Sequence, residues 1–126
     1  MNYCKENVSS PDAVTSGPYS PILKVGPFLY VSGQRPCDSD GIIPEGIEAQ
    51  TEQCIKNLEK QLSCAGAGLK DVVRTHVFLS DLSDFATMNE VYKKMFPAPF
   101  PCRTTVGAQL RGILIEIECD AVLPEN

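Results

Sequence analysis

The chain has 126 residues, of which 43% are hydrophobic and 21% are charged. A folded domain of this size buries about two-thirds of its surface, and the composition is that of an ordinary globular protein. A disordered, collagen-like or membrane-spanning chain is excluded. The 11 basic residues are outnumbered by 16 acidic ones, for a net charge of -5. Because nucleic-acid backbones are bound by clustered cations, this balance disfavours nucleic-acid binding.

The cysteines of the chain are widely spread and form no C-x-x-C pair. The N-terminal segment carries no apolar run of the kind found in secretory signals, so we expect reduced thiols in a cytoplasmic protein. His76 is the only histidine, and a zinc site would need several scattered thiols to converge. No metal site is therefore expected. The cysteines are Cys4, Cys37, Cys54, Cys64, Cys102 and Cys119.

The chain divides by composition into an arm and one domain. Residues 1–16 are polar and indicate an N-terminal arm, which is ordered only if something holds it. A single domain is expected to follow over residues 17–126. Within it, residues 22–25 and 28–34 are rich in β-branched and aromatic residues, and Gly26 with the proline after it predicts a tight hairpin turn between two strands.

The middle of the chain predicts a helix and a strand. Apolar residues recur at helical spacing over residues 47–65, and Gly66 is suited to the left-handed residue that ends a helix. Residues 72–79 form a β-branched run typical of a strand, with Val73 expected on the same face as Val77. A short strand before the helix is also possible at residues 42–43.

The C-terminal part predicts a second helix and two strands. Ser83 or Asp84 can cap a helix whose apolar stripe runs over residues 85–96, and a proline-rich run ends it. Strands are expected at residues 103–110 and 113–122. Two helices can then cover one face of a single, mostly antiparallel sheet, which predicts an α+β fold.

The last predicted strand alternates between an apolar face and a polar one. The apolar face suits contact with the helices, whereas the other face carries three carboxylates on the side of the sheet that the helices leave uncovered. Neighbouring strands could add Arg74, His76 and either Arg103 or Thr104 to that side. Such a face is either solvated or, because Phe78 and other apolar side chains share it, covered by another subunit. The carboxylates are Glu116, Glu118 and Asp120.

Six short segments occur in order along the chain: Gly17-Pro18-Tyr19-Ser20, Val31-Ser32-Gly33-Gln34, Val72-Val73-Arg74-Thr75-His76-Val77-Phe78-Leu79, Asp84-Phe85-Ala86-Thr87-Met88-Asn89, Pro101-Cys102-Arg103-Thr104 and Ile115-Glu116-Ile117-Glu118. Together they resemble the RidA/YjgF/UK114 family of enamine and imine deaminases, and the resemblance covers nearly all of residues 17–122. It implies a chorismate-mutase-like α+β domain that assembles as a homotrimer around a central barrel. It also implies hydrolysis of 2-aminoacrylate, 2-aminocrotonate and their imine tautomers to 2-oxo acids and ammonia, without a cofactor.

The resemblance also implies roles for individual residues. Arg103 matches the arginine that binds the substrate carboxylate, which suits a planar guanidinium fork. Glu116 matches the glutamate that assists the attacking water, and Glu118 on the same face is its rival. Tyr19 matches a tyrosine at the rim of the cleft. These three residues are the expected catalytic group.

Further matches predict contacts with the substrate. Gly33 and Thr105 match positions whose backbone groups approach it, and Asn89 matches a position at the edge of the second helix. Family members often have cysteine where this chain has Thr105 and alanine where it has Cys102. The stretch from Arg103 to Glu116 is also shorter here, which puts the pocket shape and substrate range in question.

Two other classes of function use the same features. A binding or regulatory trimer could hold a small carboxylic acid through Arg103 without turning it over. An RNA-acting translation inhibitor is the third class, and the acidic balance of the chain disfavours it. The expected partners are thus a small 2-imino or 2-oxo acid and two further copies of the chain, with no nucleic acid and no membrane.

Overall fold

The computed structural model describes residues 3–125 and contains one six-stranded sheet with two helices packed on one face. The outermost residues of the predicted arm and domain, residues 1, 2 and 126, lie outside the described part. The strand order is β1-β2-β3-β6-β4-β5, and every pairing is antiparallel except that of β4 with β5. The elements are β1 Lys5–Asn7, β2 Ile22–Val25, β3 Phe28–Gln34, α1 Ile47–Cys64, β4 Val72–Leu79, α2 Phe85–Met95, β5 Cys102–Gly107 and β6 Ile115–Val122. The predicted α+β architecture is confirmed.

The hairpin of β2 and β3 turns at Gly26, as predicted. This glycine has a φ of 58°, a left-handed conformation that other residues adopt at a cost. The N-terminal arm, expected to be ordered only if something holds it, is held in part by the sheet, because β1 pairs with the free edge of β2. Val8 follows β1, donates its backbone N–H to the carbonyl of Ile22 and packs against the core. Part of the N-terminal arm therefore belongs to the sheet.

The two helices bury the faces that their apolar spacing predicts. Helix α1 ends at Cys64, and Gly66 with a φ of 81° follows as the left-handed stop. Helix α2 differs from the prediction at its start, since Asp84 makes no side-chain capping bond. Asp81 instead accepts a hydrogen bond from the Ser83 N–H at 2.9 Å, in a short 3₁₀ turn before the helix.

Two predicted strands are shorter than expected and one is absent. The N–H of Leu114 bonds to the side chain of Gln50 at 2.8 Å instead of a strand partner, so β6 begins only at Ile115. Residues 42–43 form no strand, because Ile42 exchanges its hydrogen bonds with Asp38 in a local turn. Likewise, β5 ends at Gly107, before the predicted limit at residue 110.

A β-bulge in β4 corrects the predicted facing of one residue. The pairing of β4 with β6 shifts between Val72 and Arg74. Val72 is therefore buried, whereas Val73, which was predicted to share a face with Val77, is 47% exposed.

The sheet has one covered face and one uncovered face. Alternate residues of β6 are buried beneath the helices, as predicted. The other face carries the three carboxylates of β6 together with apolar side chains of neighbouring strands. Among residues 3–125, neither helix is long and apolar enough to cross a bilayer. The apolar residues most exposed on this face include Phe28, Tyr30 and Val106.

Candidate active site

Arg103 lies on the edge strand β5, opposite Thr75 of β4. Because Thr75 is fully buried on the helix side, Arg103 projects to the helix side as well. Its guanidinium carbon is 4.8 Å from the centre of the Tyr92 ring and 5.6 Å from that of Phe85. Of the two residues that sequence analysis considered for the uncovered face, Thr104 is therefore the one that faces it.

A buried hydrogen bond fixes the ring on which Arg103 rests. The Tyr92 hydroxyl lies 2.8 Å from Oγ1 of Thr75, beneath the guanidinium. Burial raises the pKa of Tyr92, although the bond to Thr75 and the charge of Arg103 act in the opposite direction. Among the described residues, no carboxylate lies within ion-pair distance of Arg103. The arginine is thus oriented by aromatic contacts and left without an anionic partner.

Asn89 and Thr105 lie on the same side of the sheet as Arg103. Asn89 lines a cavity of about 470 Å³ with Arg103, Phe100 and Lys93. Its Oδ1 atom and the Oγ1 atom of Thr105 are buried and have no hydrogen-bond partner within residues 3–125. Buried polar atoms are rarely left unpaired, so both are available to a ligand or to water.

Glu116 lies on the uncovered face, in contact with the backbone of Gly33. A Cβ atom built on Gly33 would stand 2.5 Å from Oε2 of Glu116 and 3.0 Å from its Cδ. Only glycine leaves room for the carboxylate there. Tyr19, which is 50% exposed, lines a cavity of about 720 Å³ with Gly33 and Glu116. The fold therefore brings Tyr19, Gly33 and Glu116 together at one cavity.

Glu118, the rival of Glu116, has a partner of its own. Its Oε2 atom lies 3.0 Å from Nδ1 of His76 on the neighbouring strand. Glu116 has no such ion-pair partner among the described residues. Of the two carboxylates, only Glu118 is engaged in an ion pair within the described residues.

Cys54 lies behind this carboxylate, in a contact that the sequence does not predict. Its buried thiol lies 3.2 Å from the carbonyl oxygen of Gln34 and 3.6 Å from that of Ile115. These residues directly follow Gly33 and precede Glu116, so the thiol links β3 and β6 at their contact. Burial raises the pKa of Cys54, and the nearby charge of Glu116 raises it further. The helical spacing had assigned Cys54 to the core and gave no signal of this contact.

The predicted site residues form two groups within the chain. Arg103, Asn89 and Thr105 lie on the helix side of the edge strand, whereas Glu116 and Gly33 lie on the uncovered face. Arg103 lines the cavity of about 470 Å³, whereas Glu116 lines the cavity of about 720 Å³. One chain therefore presents two half-sites that face different directions.

These features define a two-layer α+β protein with polar half-sites at a sheet edge and on the open sheet face. The family model described as Endoribonuclease L-PSP matches residues 9–123. The chain therefore belongs to this family, which is the RidA/YjgF family. It is 41% identical over 122 residues to Protein mmf2, mitochondrial, of Schizosaccharomyces pombe, covering 93% of this chain and 97% of the relative. It is also 41% identical over 110 residues to the 2-iminobutanoate/2-iminopropanoate deaminase of Mus musculus, covering 84% and 82%.

Solved structures support the same assignment. The YjgF gene product of E. coli superposes with a TM-score of 0.86 at 34% identity, covering 93% of this chain and 98% of that one. E. coli TdcF with bound serine gives a TM-score of 0.83 at 34% identity, covering 94% and 97%. The expected chorismate-mutase-like α+β fold is thereby confirmed. The cytoplasmic location stays a prediction, since one relative is named as mitochondrial.

Proposed function

We propose that this chain hydrolyses small 2-imino acids, and their 2-enamine tautomers, to 2-oxo acids and ammonia. The observation that carries the proposal is the guanidinium of Arg103, which two aromatic rings orient and which forms no ion pair with a carboxylate of the described residues. A planar fork of this kind binds a carboxylate with two parallel charge-assisted hydrogen bonds. The similarity to the mouse imine deaminase supports the same substrate class.

Glu116 is the proposed partner of the attacking water. The iminium carbon next to a carboxylate is electrophilic, and water that adds to it must lose a proton. Glu116 accepts that proton as the carbon–oxygen bond forms, and the proton then passes to the nitrogen of the carbinolamine. The carbon–nitrogen bond then breaks while the carbinolamine hydroxyl gives its proton back to Glu116, so that ammonia leaves and the carbonyl of the 2-oxo acid forms. No oxidant, reductant or cofactor is needed for this balance.

The two half-sites are proposed to meet between neighbouring chains of a homotrimer. Arg103 and Glu116 face different directions in one chain, so a substrate that contacts both requires a second copy. The uncovered sheet face supports such an assembly, since Phe28, Tyr30 and Val106 are 44%, 45% and 42% exposed there. Apolar groups of this kind on an exposed face favour coverage by another subunit. Each trimer would then contain three equivalent clefts.

A coupled assay tests the chemistry. A threonine dehydratase supplies 2-iminobutanoate, and semicarbazide trapping reports how much imine remains. Wild-type protein is expected to lower trapping, and Arg103→Ala should lose roughly 10- to 150-fold of this activity because charge-assisted bonds are lost. Lys56→Ala is the matched control, since Lys56 is an exposed cation paired with Glu52 on α1. Full activity in Arg103→Ala, or no activity in the wild type, would contradict the proposal.

Mixed trimers test the composite site. Arg103→Ala and Glu116→Gln chains, each expected to be strongly impaired alone, are co-expressed with different tags and purified through both. If each cleft takes Arg103 from one chain and Glu116 from the next, every trimer that carries both tags has one intact cleft, so about a third of the clefts are restored. If both residues act within one chain, the mixture is as inactive as its components.

Ligand binding separates catalysis from the binding-only alternative. A 2-oxo acid that binds through Arg103, with no imine hydrolysis under any condition, would favour a sensor of small carboxylic acids. The structural relative solved with bound serine shows that a small carboxylate can occupy a protein of this fold. Imine hydrolysis by the wild-type protein in the coupled assay would favour an enzyme over a protein that only binds the acid.

A further inference from the structure

A second cationic feature lies beside the Glu116 half-site. The cavity of about 720 Å³ that contains Glu116 and Tyr19 also reaches the side chains of Arg35, Lys60 and Arg111. These three residues form a cationic groove. They come from the loop after β3, from α1 and from the turn before β6, and the fold brings them to one cavity.

The cations of the groove are not neutralised by the chain itself. Within the described residues, the ion pairs are Lys56 with Glu52 and His76 with Glu118, and none involves the groove. The groove cations outnumber the carboxylates that line the same cavity, which are Asp12 and Glu116. A local excess of positive charge in a chain of net charge -5 indicates an anionic ligand.

The backbone that carries Arg35 is held in place. The side-chain amide of Asn57 donates to the carbonyl oxygens of Arg35 and Cys37, both at 2.8 Å, and Asn57 itself accepts a bond from Gln53 at 2.9 Å. The Arg35 guanidinium in turn donates to the carbonyl oxygen of Arg111 at 3.2 Å. The Arg35 guanidinium is thereby held at the Arg111 backbone before any ligand arrives, which lowers the ordering cost of binding.

We propose that the cationic groove binds a second carboxylate at the far end of the substrate, so that dicarboxylic 2-imino acids are preferred substrates. This inference rests on the proposed function, in which Arg103 holds the first carboxylate. A carboxylate is the anion expected in the groove, because the proposed substrates of the adjoining site are themselves carboxylic acids. Three cations interspersed with carboxylates are also too few to follow a nucleic-acid backbone.

Calorimetric titration of the assembled protein with 2-oxoglutarate and 2-oxobutanoate tests the groove without turnover. Wild-type protein is expected to bind 2-oxoglutarate more tightly, with a preference that falls as salt is added. Arg35→Gln and Arg111→Gln should each reduce that preference roughly two- to five-fold, the range of exposed ion pairs, and leave 2-oxobutanoate unaffected. Lys56→Gln is the control outside the groove and should behave as wild type.

The outcomes separate the groove from the proposed function. If wild-type protein binds 2-oxobutanoate and shows no preference for 2-oxoglutarate, the groove assignment is overturned but the Arg103 role is not. The same conclusion follows if Arg35→Gln loses affinity equally for both acids. If neither acid binds the wild-type protein, both the Arg103 role and the groove assignment are overturned. Tighter binding of a phosphonate analogue of glutarate, or displacement of 2-oxoglutarate by an RNA oligonucleotide, assigns the groove to a different ligand and overturns the proposal. The proposal is supported if Arg35→Gln and Arg111→Gln reduce the preference for 2-oxoglutarate and Lys56→Gln does not.

Discussion

Gly33 and Glu116 face each other so closely that a Cβ atom at position 33 would lie 2.5 Å from the Glu116 Oε2 atom. The obstructed atom is the end of a flexible side chain, so the carboxylate can move aside while the backbone stays in place. Gly33 therefore determines where the Glu116 carboxylate rests, and this holds whatever the carboxylate does chemically.

Gly33→Ala should reduce imine hydrolysis without unfolding the protein. Displacement of a catalytic group by about 1 Å costs on the order of 10²-fold in rate, and we expect a loss of this size in kcat. Gly68→Ala is the control, because a Cβ atom there meets nothing within 4 Å and the backbone φ is -145°. Steady-state kinetics and circular dichroism measure the two effects. Unchanged kcat in Gly33→Ala would separate Glu116 from the reaction.

Phe85→Ala should weaken substrate binding through Arg103. The Phe85 ring lies 5.6 Å from the guanidinium carbon and is one of two rings that orient it. Since a partly exposed cation–π contact is worth about 0.5–1 kcal/mol, KM is expected to rise roughly two- to five-fold with little change in kcat. Leu82→Ala removes an exposed apolar side chain just before α2 and serves as the control. An equal rise in KM for both variants would contradict the orienting role of Phe85.

Breaking the hydrogen bond between Thr75 and Tyr92 should lower the free energy of unfolding by more than the net contribution of an ordinary hydrogen bond. Thr75→Val leaves the largely buried Tyr92 hydroxyl without its partner, which costs about 1–3 kcal/mol in the free energy of unfolding. Tyr92→Phe in the same chain removes the unpaired hydroxyl and should restore part of that loss. Urea unfolding at one fixed protein concentration measures both, because the proposed trimer would make stability concentration-dependent. Additive losses in the double variant would contradict the coupling.

The sequence predicted the parts of the fold that follow from periodicity. The spacing of apolar residues in α1 and the alternation in β6 depend only on local geometry, and both are confirmed. Strand ends were less predictable, because a side chain far along the chain, Gln50, takes the hydrogen bond of Leu114. The bulge that exposes Val73 is likewise set by the pairing of β4 with β6, which no local pattern records.

The site was predicted as a list of residues but not as two half-sites. The sequence left open which face of the sheet Arg103 occupies. That face is set by the register of β5 against β4, which places Arg103 opposite Thr75, and the sequence of β5 alone does not reveal this register. Cys54 and the cationic groove were missed for the same reason. Their members are far apart in sequence and have no shared spacing, so only the folded chain brings them together.

The two buried thiols should be unreactive and should make the fold sensitive to alkali. Cys54 and Cys119 are 0% and 2% exposed, so they should resist a disulfide reagent at pH 8, whereas the exposed Cys4 and Cys64 react. Burial, assisted by the charges of Asp120 and Glu118, raises the pKa of Cys119 from its ordinary value of 9.0 to about 12. The unfolded chain therefore releases this proton above pH 9, while the folded chain keeps it until about pH 12.

The free energy of unfolding should fall across that interval by about 1.4 kcal/mol per pH unit for this one thiol. Cys119→Ala removes the thiol, so its unfolding free energy should decline less steeply between pH 9 and 11, even though the cavity lowers its stability at every pH. Urea unfolding of both proteins at several pH values measures the two slopes. If the unfolding free energies of the two proteins fall in parallel as the pH rises, Cys119 loses its proton at the same pH in the folded and unfolded chains. The buried thiol would then contribute nothing to the loss of stability at alkaline pH.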